Sequence, residues 1–417
     1  MPANGQDKLW NTRSAHNIEP CRHERRRRGS GFRIGHLRER TRTWKNAAVV
    51  KILALVPEAH GGFGGIATYS RDLIDACCEL PRVTHVELVP RIIRSEPVGL
   101  PAKAEMLSAA AGGLARYMRE VARAATRRAD AILCSHVHLL PFARLSTFGR
   151  RIPIIGVLHG IEAWKPTGRL FVDTLSRQCD GLIAVSECTS QRFQRWSGLA
   201  NRQIEILPPA VHRDAYRSGP KMQYLLDRYG IAGRRVILTL GRLDAGERQK
   251  GVDELIELMP QLRSEVPDLV YLIAGDGGDR ARLQAKVTAA GLNGSVQLIG
   301  RIAEAEKADH FRLCDVYSMA GRQEGFGIVF LEALATGAPV VASVLDGSRN
   351  AVLEGRLGEL ANPDDPASLR AAILRALAKP RVVPELLEHF SFANFVQRLD
   401  GILDRFAPMP QAQPCPS

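Results

Sequence analysis

Short apolar runs alternate with stretches of helical period along most of this chain. The first run is Val49-Val50-Lys51-Ile52-Leu53-Ala54-Leu55-Val56. It stops at Pro57 and the loop Gly61-Gly62-Phe63-Gly64-Gly65, and a helical pattern starts at Ile66. A buried strand, a glycine loop and a helix in that order open a Rossmann-like unit. Further strands are expected at Val83–Val89, Ala131–Cys134, Ile152–Leu158, Gly181–Val185 and Gln203–Leu207. Pro208-Pro209 breaks the rhythm, and a polar helical stretch from Asp214 to Tyr229 leads into a second series. Its strands are expected at Arg235–Leu240, Leu269–Ala274, Ser295–Ile299, Val316–Met319 and Pro339–Ala342, followed by an amphipathic helix from Phe392 to Phe406. Strands alternating with helices mean parallel sheets covered on both faces. The pattern predicts two Rossmann-like domains, 47–210 and 211–391, then a C-terminal helix over 392–406, between a basic extension (1–46) and a proline-rich tail (407–417).

A length of 417 residues fits two such domains, and 45% hydrophobic with 24% charged residues is ordinary for a globular protein. The net charge of +13 changes the picture only once it is located. Residues 1–46 hold twelve Lys or Arg against four Asp or Glu, so most of the excess lies in the extension, with its run Arg25-Arg26-Arg27-Arg28. Low apolar content makes that segment an expected disordered extension. It has no apolar core of a signal peptide, and no run of about 20 apolar residues occurs anywhere. The eight cysteines show no C-x-x-C spacing and read as reduced thiols of a cytoplasmic protein.

The most informative string is Glu324-Gly325-Phe326-Gly327-Ile328-Val329-Phe330-Leu331-Glu332-Ala333. It sets one carboxylate in a glycine turn and a second about two helical turns further on. The N–H groups of Phe326, Gly327 and Ile328 open the helix, where an anion or sugar hydroxyls can be met. After the strand Arg235–Leu240 come Gly241-Arg242-Leu243 and then Lys250-Gly251. Two cations at a strand's carboxyl end suit a diphosphate leaving group. His159 follows the strand ending at Leu158, in Leu-His-Gly-Ile-Glu-Ala-Trp; both a structural and a substrate-facing role are open to it. Trp164 in that loop has two readings, stacking on a sugar or packing in the core. Arg116, Arg119, Arg123 and Arg127 share one helix face, readable as a solvated face or as a contact with an anionic membrane surface.

These strings resemble the family 4 glycosyltransferases, retaining enzymes of GT-B fold with an E-x7-E motif, over roughly 47–406. The closest setting is the bacterial exopolysaccharide and cell-surface glycan transferases. The resemblance implies an α/β GT-B fold, two Rossmann-like domains facing a central cleft. It implies transfer of a sugar from a UDP- or GDP-sugar to a glycan or polyprenyl-linked glycan. The donor is a substrate, so no cofactor is implied, nor nucleic acid as a partner. By resemblance, Glu324 meets the sugar hydroxyls and Glu332 the ribose. Phe326, Gly327 and Ile328 give backbone contacts to sugar and phosphate. Arg242 and Lys250 clamp the diphosphate, with Arg248 a weaker third. Gly64 and Gly65 lie against phosphate or acceptor, and His159 near the donor sugar. Gly275 sits beside the nucleotide, and Arg301 where the base is read. No D-x-D pair occurs in the sequence, which fits a metal-independent clamp. A GT-B-like sugar-nucleotide epimerase and a nucleic-acid-binding protein acting through the arginine tail are the competing classes. A cytoplasmic location, with peripheral contact at the inner membrane face, is expected.

Overall fold

The first seven strands run Val50–Val56 (β1), Val83–Pro90 (β2), Ala104–Met106 (β3), Ala131–Cys134 (β4), Ile154–Leu158 (β5), Gly181–Ala184 (β6) and Ile204–Ile206 (β7). Six more follow: Arg235–Leu240 (β8), Leu269–Ala274 (β9), Val296–Gly300 (β10), Val316–Ser318 (β11), Val340–Ser343 (β12) and Glu359–Ala361 (β13). This is a computed structural model; it describes residues 50–147, 149–199 and 203–406. The expectations for 1–46 and 407–417 lie outside the described residues.

Among the described residues the strands form two parallel sheets, ordered β3-β2-β1-β4-β5-β6-β7 and β10-β9-β8-β11-β12-β13. Central strands such as β4 and β9 are buried throughout, as expected where helices cover both faces. In each sheet the order reverses beside the first strand, β1 or β8. There the loops leaving the carboxyl ends of neighbouring strands diverge and open a crevice.

Two expectations need correcting. The stretch Asp214–Tyr229 is helical only over Gln223–Tyr229. Gly219-Pro220 lies inside it, and proline cannot donate the hydrogen bond that a helix interior requires. The strands β3 and β13, three residues each at sheet edges, were not expected: neither Ala104-Glu105-Met106 nor Glu359-Leu360-Ala361 is an unbroken apolar run.

The chain crosses between the sheets twice, side by side. Val211 N donates to Phe390 O at 2.8 Å, and Val211 bridges to Ser391. The helix Phe392–Phe406 then packs against the helix Gly65–Glu79 of the first half. Phe395 meets the Tyr69 ring edge-on at 5.7 Å, and Arg82 pairs with Asp400 and Asp404. One apolar core therefore runs from the first sheet through Leu207, Val211, Phe390 and Phe395 into the second.

Candidate active site

The loop after β11 carries Glu324 and is fixed from two sides. Within its own half, Glu324 N donates to Asp346 Oδ2 at 2.9 Å, and Gly347 N donates to Glu324 O at 2.8 Å. Asp346 is fully buried. It also accepts from Ser348 N and Oγ, and burial pushes its carboxyl up from the usual range. From the other half, Ser186 Oγ donates to Gly325 O at 2.6 Å. A Cβ on Gly325 would overlap the His159 carbonyl oxygen and lie 3.0 Å from Gly160 Cα. Glycine is needed here because the Glu-Gly-Phe-Gly loop of the second sheet touches the His-Gly turn of the first.

His159 extends this junction. Its Nε2 lies 2.7 Å from Ser135 O. A carbonyl only accepts, so Nε2 carries the proton, and Nδ1 is the acceptor of the neutral ring. Burial pushes the imidazole below its usual range, against the pull of Glu162. Glu162 accepts from His159 N at 2.6 Å and Gly160 N at 3.1 Å and so holds the turn. A neutral imidazole can orient a hydroxyl; it bears on developing positive charge through its dipole rather than through a full charge. Trp164 is engaged elsewhere: it donates to Thr189 Oγ1 and lies 3.9 Å beneath the Arg192 guanidinium. Arg192 also donates to Leu345 O at 2.6 Å, a second tie between the halves.

The helix Ile328–Ala335 follows Gly327 and has no side-chain cap. A Cβ on Gly327 would lie 3.2 Å from Glu324 Cγ, so Glu324 curls over the start of this helix. Phe326 is buried against Phe390. Glu332 is buried on the same helix: Tyr216 Oη donates to its Oε1 at 2.8 Å, and Lys307 Nζ pairs with that oxygen at 2.7 Å. The phenol of buried Tyr317 is pushed up by desolvation first and then by the charges of Glu324 and Glu332. Both carboxylates thus lie within electrostatic reach of this one phenol.

The loop after β8 lies alongside. A Cβ on Gly241 would sit 3.6 Å from Lys250 Nζ, which places the ammonium over the carboxyl end of β8. The Lys250 segment is pinned to the Glu324 loop, since Arg322 N donates to Gln249 O at 2.8 Å. Arg242 is exposed in the same loop. Arg248 instead pairs with buried Asp279 at 3.0 Å, which commits its charge to a neighbouring network.

Gly275 lets the loops after β8 and β9 touch: a Cβ there would overlap Gly241 O, and its N–H is given to Gly300 O. Arg301 is exposed just past β10. Gly64 and Gly65 stand exposed at the start of the helix Gly65–Glu79, with open space where side chains would be. No spacing in the sequence pointed to Tyr216, Lys307, Asp346, Ser186 or Arg192, which reach the site from distant segments. Among the described residues no group of three or more His, Cys, Asp or Glu is placed to hold a metal ion.

Two Rossmann-like sheets, their carboxyl-end loops meeting at Gly160 and Gly325 over a pair of carboxylates and a cationic loop, define a GT-B architecture. Residues 63–215 match the model for Glycosyltransferase Family 4, and residues 227–393 match that for glycosyl transferases group 1. The chain belongs to this family of glycosyltransferases. It is 33% identical over 255 residues to the GDP-mannose-dependent alpha-(1-6)-phosphatidylinositol monomannoside mannosyltransferase of Mycolicibacterium smegmatis, a match covering 58% of this chain and 66% of that protein. It is 38% identical over 229 residues to the phosphatidyl-myo-inositol mannosyltransferase of Mycobacterium tuberculosis, covering 53% of this chain and 56% of that protein. The matches thus span somewhat over half the length of these relatives. Among solved structures, Anabaena HepE in complex with UDP and glucose superposes with a TM-score of 0.68 at 20% identity, over 85% of this chain and 99% of that one. Sucrose-phosphate synthase from Thermosynechococcus elongatus gives 0.63 at 21%, over 86% and 96%.

Proposed function

We propose that this protein transfers a mannosyl residue from GDP-mannose to a lipid-linked glycan or glycolipid acceptor, with retention of configuration and without a metal ion. The observation that carries the reading is the junction of Glu324, Glu332 and the Arg242–Lys250 loop with His159 at the contact between the two sheets. Arg242 and Lys250 neutralise the diphosphate as it departs. The N–H groups at the turn into the helix, from Phe326, Gly327 and Ile328, add dipole stabilisation. Glu324 meets the sugar hydroxyls and Glu332 the ribose, while His159 orients the sugar through Nδ1. Gly275 and Arg301 flank the nucleotide, and Gly64 and Gly65 leave room for phosphate or acceptor. The mannosyltransferase relatives support GDP-mannose as donor. Retention follows through a front-face reaction in which the leaving diphosphate takes the acceptor proton.

Access to a lipid is supported by the helix Leu114–Thr126. It exposes Leu114 and Met118 beside Arg116, Arg119 and Arg123, an apolar and cationic face suited to anionic headgroups. Arg119 and Arg123 also pair with buried Glu120, at 3.2 and 3.7 Å, and Arg127 with Glu87 at 2.8 Å and Glu105 at 3.0 Å, so part of this charge is already balanced. Among the described residues no helix is long and apolar enough to cross a membrane.

The test is turnover of a panel of UDP- and GDP-sugars in the presence of anionic vesicles, with and without excess EDTA, followed by NMR of the product anomer. GDP-mannose turned over in EDTA to an α-linked product is the expected result. Preference for a UDP-sugar, a β-linked product, or activity restored only by manganese or magnesium would each overturn the corresponding part of the reading.

A further inference from the structure

Glu332 is held in a way that a simple stabilising ion pair does not explain. Its carboxylate is buried, yet both neighbouring donors use the same oxygen. Tyr216 Oη donates to Oε1 at 2.8 Å, and Lys307 Nζ reaches Oε1 at 2.7 Å. Oε2 is buried with no hydrogen-bond partner. A buried acceptor without a donor is costly, and native proteins keep few of them outside sites that meet something else. Tyr216 is itself held in place. Its ring lies edge-on to Phe311 at 6.1 Å with the Lys307 ammonium 5.7 Å away. Burial, then the neighbouring carboxylates, keep the phenol protonated and so a donor.

We propose that Tyr216 and Lys307 are positioning residues: by occupying Oε1 they turn Glu332 so that Oε2 receives the ribose hydroxyls of the donor nucleotide. They thereby set the preference for a ribonucleotide over its deoxy counterpart. This rests on the reading of Glu332 as the ribose contact. Tyr216 comes from the segment that joins the two halves, a few residues past the crossing at Val211, so the ribose site is completed by the connector rather than by the second sheet alone. Glu304 is the other carboxylate near this pair, 3.5 Å from both Tyr216 Oη and Lys307 Nζ and largely exposed. It competes weakly for these donors.

The experiment is calorimetric titration of the full chain with GDP, 2′-deoxy-GDP and 3′-deoxy-GDP, comparing wild type with Glu332→Gln, Tyr216→Phe and Lys307→Met. Wild type is expected to bind GDP roughly tenfold or more tighter than at least one deoxy analogue, the worth of one charge-assisted hydrogen bond. In Tyr216→Phe and Lys307→Met that ratio is expected to fall to about threefold or less, while affinity for the deoxy analogue stays near wild type. If Glu332→Gln erases the ratio but both Tyr216→Phe and Lys307→Met keep it, the positioning role is overturned and Glu332 remains the ribose contact. If wild type shows no preference, or Glu332→Gln retains it, the ribose assignment itself falls and takes the proposal with it. Equal loss of affinity for all three nucleotides in both Tyr216→Phe and Lys307→Met would mark a merely structural pair and also overturn the proposal.

Discussion

Adding one methyl group at Gly325 tests whether the two sheets must touch for the chemistry. The backbone of Gly325 lies against the His159 carbonyl and Gly160 Cα, and a Cβ there overlaps backbone on the opposite half. No flexible side chain can yield, so Gly325→Ala must move the Glu324 loop away from the His-Gly turn by on the order of 1 Å. The obstruction lies between the halves, so it is relieved by their separating rather than by unfolding. The cost to stability should stay at or below the ~1–3 kcal/mol typical of overpacking. Catalysis has no such escape. A displacement of about 1 Å between reacting groups costs roughly a hundredfold in rate, or about 2.7 kcal/mol in the barrier. Donor turnover is therefore expected to fall about a hundredfold, while affinity for free GDP, whose proposed contacts all lie on the second half, is expected to stay within about threefold, well under 1 kcal/mol. Gly294→Ala, where a Cβ meets open space, is the control and should behave as wild type. Steady-state kinetics, nucleotide calorimetry and a melting curve on each variant decide the matter. A folded Gly325→Ala protein with wild-type turnover would refute the requirement for contact.

The remaining expectations concern single groups. Lys250→Ala and Arg242→Ala should each lower turnover by the ~2–4 kcal/mol typical of one lost preorganised charge contact, measured as kcat/KM with GDP-mannose in folded variants. Glu324→Gln should reduce donor turnover by tenfold or more, about 1.4 kcal/mol upward, and leave free GDP binding near wild type. Glu332→Ala should weaken free GDP as well, since ribose is common to both ligands; the reverse pattern in calorimetry would swap the two roles. Acid should destabilise the first half. Burial pushes His136 down to about 4 and His159 down in the same direction, so the unfolded chain binds more protons between pH ~6.5 and ~4. Stability from these imidazoles is present above about pH 6.5 and is lost as pH falls through that window. A melting temperature flat from pH 7 to 4.5, or unchanged in slope by His136→Gln, would count against it.

What the chain's pattern makes legible is what is local. The strands β1, β4, β8 and β9 lie within a residue of their apolar runs because each is built around an unbroken run of buried residues bounded by a turn or glycine loop. The edge strands β3 and β13 were not read, whereas the equally short edge strand β7 was, because it lies in the alternating run Gln203–Leu207. The same distinction holds in the site. Glu324 and Glu332 are visible because a turn and two helical turns fix their separation along the chain. Lys250 is visible because it trails the strand that positions Arg242.

The partners of these groups are another matter. Asp346 reaches Glu324 from the loop after β12, Ser186 reaches Gly325 from the opposite sheet, and Tyr216 and Lys307 reach Glu332 from the connector and from the segment after β10. Each is set by tertiary packing, where sequence distance says nothing about contact. Gly325 shows the limit from the other direction. Its presence in the motif is plain in the sequence, but a turn would explain a glycine there equally well. Only the overlap with His159 across the cleft separates a residue that shapes a loop from one that lets two domains meet. The spacing of the carboxylates can therefore stay intact in a chain whose halves no longer close, and nucleotide binding with lost transfer is the expected signature of that state.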